Sequence, residues 1–203
     1  MSRVPIYDFP VVSIKNKVSI FFKCVRRVCS PNEKGSKVKE TLVIRPIESG
    51  EVQAVHQLVT RVFEVEIAPL FCEEGVSTFL DFIAPENLKY LLSESMDILV
   101  ADIGMEVAGM TAVRDRCHIS LLFVAFEFQS RGAARMLLQS AINLCRDKNP
   151  DIDCITVNAS PNSVSFYSHV GFVAVNHELE RNGIRYTPMF LDRSLFDTIG
   201  IQD

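Results

Sequence analysis

The stretch from His118 to Cys145, HISLLFVAFEFQSRGAARMLLQSAINLC, constrains the fold of this chain more than any other. His118 to Phe126 is almost wholly apolar and rich in β-branched and aromatic side chains, which predicts a strand covered on both faces at the centre of a mixed sheet. The period then changes. Ala134, Leu137, Leu138, Ala141, Ile142 and Cys145 recur at helical spacing and form one apolar stripe, which has to pack on that sheet. Between strand and helix lies Gln129-Ser130-Arg131-Gly132-Ala133-Ala134. The first amides of a helix lack intrahelical partners and the macrodipole adds about half a positive charge, so a phosphate is stabilised at such a turn. Gly132 permits its close approach.

The remaining segments supply partners for this unit. Thr41 to Ile47 predicts a first strand, and Ser49 is placed to cap a helix whose Val52, Val55, Val59, Val62 and Phe63 share one face. Helical patterns continue through Val76 to Ile83 and, with Pro85 in a first turn, to Leu92. Asp97 to Ile103 and Val107 to Val113 read as a hairpin around Gly104-Met105-Glu106. After the long helix, Asn149-Pro150-Asp151 breaks the pattern and Cys154 to Asn158 forms a short strand. Ser160 is expected to cap a helix with Pro161 at its first position, and Gly171 to end it in a left-handed conformation. Phe172 to Leu179 and Ile184 to Leu191 flank Asn182-Gly183, a strong hairpin signal. The order predicts an α+β domain with a mixed, mostly antiparallel sheet flanked by helices.

Two of these stretches carry a resemblance. Gln-x-x-Gly-x-Ala after a strand containing Leu122-Phe123-Val124 resembles the coenzyme A loop of the GNAT superfamily of N-acetyltransferases, and Asn158 to Phe172, NASPNSVSFYSHVGF, is similar to that superfamily's later motif. The resemblance covers about residues 41 to 195, with its nearest likeness to bacterial single-domain members that carry an Asn-Gly-Ile-Arg-Tyr-Thr-Pro-Met hairpin. It implies a GNAT-like fold and transfer of an acetyl group from acetyl-CoA to an amine by direct attack in a ternary complex. It further implies that Gln129, Arg131, Gly132, Ala133 and Ala134 hold the pyrophosphate, with Arg131 or Arg135 adding charge-assisted contacts. Main-chain groups of Leu122, Phe123 and Val124 would line the pantetheine arm, and Asn158 and Asn162 would make polar contacts on the cofactor side. Tyr167 matches the tyrosine that protonates the departing thiolate. For the general base, His118 at the open end of the central strand and Glu127 both stand as candidates, acting directly or through water. A non-catalytic acyl-CoA-binding module of the same fold is the alternative.

Charge and composition narrow the partners. Residues 1–39 hold nine Lys or Arg against Asp8 and Glu33, a charge of +7, so within a net charge of −4 the remainder carries −11. Residues 1–40 therefore read as a basic N-terminal arm outside the domain at 41–195. Val38 suggests an alternative start that would make the arm an extension, and 196–203 reads as a tail. An acidic domain argues against nucleic-acid binding, except through the arm. No apolar run reaches the roughly 18 residues of a membrane span. The six cysteines form no C-x-x-C pair and the four histidines lack metal-ligand spacing, so no metal site is expected, and a reducing cytoplasm fits. The acceptor is expected to be a small-molecule or peptide amine, with a homodimer left open.

Overall fold

A computed structural model of the chain describes residues 42–94, 96–103 and 106–198. The basic arm at 1–40, the turn at Gly104-Met105 and the end of the tail lie outside the described residues. β1 (Leu42–Pro46) leads through a short turn into α1 (Val52–Glu66), followed by α2 (Glu73–Phe82) and α3 (Pro85–Glu94). β2 (Met96–Ile103), β3 (Glu106–Arg114) and β4 (His118–Val124) then form a meander, and α4 (Ala133–Lys148) crosses to β5 (Cys154–Ala159). α5 (Val164–His169), β6 (Val173–Ala174), β7 (Leu179–Arg181) and β8 (Ile184–Asp192) complete the chain order. The sheet runs β1-β2-β3-β4-β5-β8-β6, with β7 paired to β8, and β4–β5 is its parallel pair. The fold is thus the expected mixed, mostly antiparallel sheet between helices.

Each face of the sheet has its own core. One packs Val55, Val59, Val62 and Phe63 of α1 and Phe79 and Phe82 of α2 against Met110, Leu121 and Phe123, with Phe63 stacked on Phe79 at 4.0 Å between ring centres. The other packs Leu137, Leu138, Ala141, Ile142 and Cys145 of α4 against Ile119, Leu122, Val124, Ile155 and Val157. The stripe read in α4 is therefore the buried face of that helix. β4 is buried at every position, as a strand covered on both sides must be.

Several boundaries differ from the sequence reading for local reasons. The first helix is preceded by a capping box between Glu48 and Glu51 rather than by a Ser49 cap, and Arg45 holds Glu51 there through two bonds of 2.8 and 2.6 Å. Ser160 and Pro161 stand outside α5. Ser163 donates its amide to Ser160 O at 2.8 Å and Ser160 Oγ donates to Asn162 Oδ1 at 2.8 Å, which closes a turn and delays the helix to Val164. At the other end of α5 the expectation holds. Gly171 has φ 97°, Phe172 N donates to Tyr167 O and Gly171 N to Ser168 O, a Schellman ending sealed by the Tyr167–Phe172 ring contact at 5.2 Å. The segment read as one strand from Phe172 to Leu179 is two, β6 and β7. The folded part also outruns 195, since Phe196 is buried in the α4-side core.

Candidate active site

Among the described residues β4 and β5 stand in register at His118–Thr156 and Ile119–Val157, with Thr156 N donating to Cys117 O at 2.9 Å, and then part. Past that point Ser120–Val124 and Asn158–Ala159 border a fork in the sheet. The chain leaves β4 through a 3-10 turn, Phe126–Phe128, and Gln129 Nε2 donates to Val124 O at 3.2 Å, which ties the turn back to the strand end. Ser130 at φ 60° and Gly132 at φ 83° both take left-handed backbone, and α4 starts at Ala133. A β-carbon at Gly132 would meet no atom within 4 Å. Gly132 is thus required by its backbone angle, and the space before the first amides of α4 is open. That space is the head of a cleft of about 370 Å³ lined by Leu122, Val124, Phe128, Gln129, Ser130, Gly132, Ala133, Ala134, Arg135 and Phe166.

Six of the sequence-derived cofactor residues therefore line one cleft: Leu122, Val124, Gln129, Gly132, Ala133 and Ala134. Arg131 stands beside it with its guanidinium over the Phe128 ring, 5.4 Å from the centre. Phe123 points to the other face, where its ring lies 6.0 Å from Phe79, so only its main chain can serve the fork. Asn162 Nδ2 donates to Glu66 O at 3.1 Å and its Oδ1 accepts from Ser160, an arrangement that joins the end of α1 to the β5–α5 turn. Tyr167 is fully buried beside Phe166, and it is Phe166 that lines the cleft. Phe128, Ser130 and Phe166 escaped the sequence reading. An aromatic next to a turn reads as core, and nothing in a sequence tells a cleft wall from a core wall.

His118 needs correction. It stands at the closed end of β4, where the strand is still paired to β5, six residues or roughly 20 Å from Val124 at about 3.3 Å per residue. It is 2% exposed, its Nδ1 lies 2.8 Å from Thr156 Oγ1, and burial, assisted by the Arg114 charge, pushes its pKa down to about 3. Such a histidine stays neutral in the core and is too weak a base to take a proton from an ammonium. Glu127, the other candidate, accepts from Arg61 Nη2 at 2.6 Å, and this bond holds its carboxyl below the usual range. Among the described residues no group of three or more His, Cys, Asp or Glu is arranged to hold a metal, and no helix is long and apolar enough to cross a membrane.

A sheet split at a parallel pair, with an open left-handed turn and a cleft at the end of β4, defines the class: an α+β protein built around a forked sheet. A family model for the acetyltransferase (GNAT) domain matches residues 67–193, more than half of the chain. The protein belongs to the GNAT family and is an acetyltransferase by that membership. Its fold is shared with a GCN5-related N-acetyltransferase from Rhodopseudomonas palustris, at 19% identity and a TM-score of 0.63 over 78% of this chain and 99% of that one. It is also shared with the PaiA N-acetyltransferase from Thermoplasma acidophilum in complex with coenzyme A, at 16% identity and 0.62 over 75% and 99%. A spermidine N-acetyltransferase from Vibrio cholerae, in complex with CoA and spermine, matches at 18% identity and 0.55 over 76% and 97%. No curated protein sequence matches the chain.

Proposed function

We propose that the protein moves an acetyl group from acetyl-CoA to an amine, by direct attack with both substrates bound. The observation that carries this reading is the open, left-handed turn at Gly132, set before the first turn of a 16-residue helix and continuous with a cleft walled by Leu122, Val124 and Phe166. The shape suits acetyl-CoA: the pyrophosphate needs amides and positive dipole, which the first turn of α4 offers with Arg135 beside it, and the pantetheine needs an apolar slot with main-chain partners. Acetyl-CoA supplies an activated thioester. The chain contributes the rest. The edge of β4 that β5 leaves unpaired offers main-chain groups to line the arm and orient the carbonyl, and burial excludes water from Tyr167, which we assign to hold the proton for the thiolate. The domain's charge of −11 draws cationic amines towards it. Spermidine, named for the Vibrio cholerae neighbour, is one amine of that kind.

Acetyl-CoA at about millimolar concentration should raise the melting temperature of the full-length protein, since a ligand selective for the folded state stabilises by mass action, by about 2.7 kcal/mol at a hundred times its Kd. Gly132→Glu, which aims a carboxylate into the phosphate space, should abolish the shift. A protein indifferent to acetyl-CoA would refute the reading. A thiol-release assay over a panel of amines then identifies the acceptor.

A further inference from the structure

We propose that Asn158 receives the acceptor amine and is not a cofactor ligand, an assignment that rests on the acetyl-transfer reading above. Side chains alternate along a strand. Ile155, Val157 and Ala159 of β5 all enter the core beneath α4 and α5, so Thr156 and Asn158 face the opposite side, the side of α1 and α2. Leu122 and Val124, which line the cleft below the phosphate turn, belong to the α4-side core. Asn158 and the cleft wall therefore lie on opposite faces of the fork, one where the cofactor enters and one where a second substrate can approach.

Position and chemistry agree with this. Asn158 is the first residue of β5 beyond the last β4–β5 pair, Ile119–Val157. Asn158 Oδ1 is buried without a hydrogen-bond partner among the described residues. The root of the fork thus holds a buried amide oxygen that no described residue bonds, a costly arrangement that a bound ligand would relieve. A carbonyl oxygen can only accept, so the missing group is an N–H or O–H. The acetyl thioester carries neither, and the pantetheine amides, which do carry N–H, would run along the cleft on the opposite face lined by Leu122 and Val124; an amine approaching from the α1 and α2 side carries N–H. A neutral carbonyl also orients the amine without holding it protonated, as a carboxylate would, and the nucleophile must be the free amine.

Two variants of the full chain test this, with the acetyl-CoA Kd from calorimetry and initial rates with whichever of spermidine, lysine ethyl ester and tyramine the unaltered protein uses best. Asn158→Leu keeps the volume and removes the acceptor: the acetyl-CoA Kd should stay within about twofold, the melting temperature should not fall, and the amine KM should rise about tenfold or more. Asn158→Asp should move the pH–rate midpoint upward, because a carboxylate raises the pKa of the amine beside it. An acetyl-CoA Kd weakened about tenfold in Asn158→Leu would return the residue to the cofactor, and an unchanged amine KM would remove it from the acceptor. Failure of the underlying reading is separate: the unaltered protein would not bind acetyl-CoA.

Discussion

Tyr167 lies wholly inside the molecule, edge-on to Phe166 at 5.1 Å and to Phe172 at 5.2 Å, and burial raises its phenol well above 10. Its hydroxyl therefore keeps its proton throughout the working range. If it serves the thiolate, Tyr167→Phe should lower kcat by about 10²- to 10⁴-fold, roughly 3 to 5 kcal/mol, with acetyl-CoA affinity little changed. A purely packing role would instead leave kcat within about threefold at matched folded fraction. The place of Tyr167 was legible from Phe166-Tyr167 and Gly171-Phe172, because a Schellman ending and a ring contact four and five residues on leave a helix few alternatives. Its depth was not. His118 failed for a related reason: which end of a parallel pair stays closed depends on two registers, His118–Thr156 and Ile119–Val157, that join segments 38 residues apart. Periodicity carries no information over that distance.

At the scale of elements, the β7–β8 hairpin is held against α2 by contact between two glycines. Asn182 and Gly183, at φ 51° and 73°, form the turn that the dipeptide announces, and Thr78 Oγ1 reaches Asn182 O at 3.3 Å. A β-carbon at Gly75 would overlap the Gly183 carbonyl, so the backbones touch directly. Gly75→Ala should force the hairpin off the helix and cost about 1 to 3 kcal/mol in urea unfolding; a change below about 0.5 kcal/mol would show that the contact yields freely. The hairpin and α4 were legible because a turn dipeptide and a repeated stripe are local signals. The delayed start of α5 was not, because Ser160 and Asn162 spend their hydrogen-bonding groups on a turn and on Glu66 O of α1, a partner far away in the chain.

At the scale of the whole molecule, charge and site are separable. Deleting residues 1–39 removes +7 and leaves −11, while the family match begins at residue 67 and the cleft at Leu122. Acetyl transfer by the shortened protein should keep kcat/KM within about threefold, and a loss of about tenfold would tie the arm to catalysis. The element order and the glycine turn before α4 were legible over the domain as a whole, since each rests on a local pattern. The two faces of the fork were not, because they emerge only when β5 is set beside β4. That fork has a mechanical meaning. Among the described residues two register pairs and the Thr156 N bond to Cys117 O join the β1–β4 half of the sheet to the half made of β5, β8 and β6, so a ligand lodged between the strands and bonded to both would extend the lattice of hydrogen bonds from one edge to the other. Binding would then brace a joint that the α4-side core alone spans beyond the last strand pair.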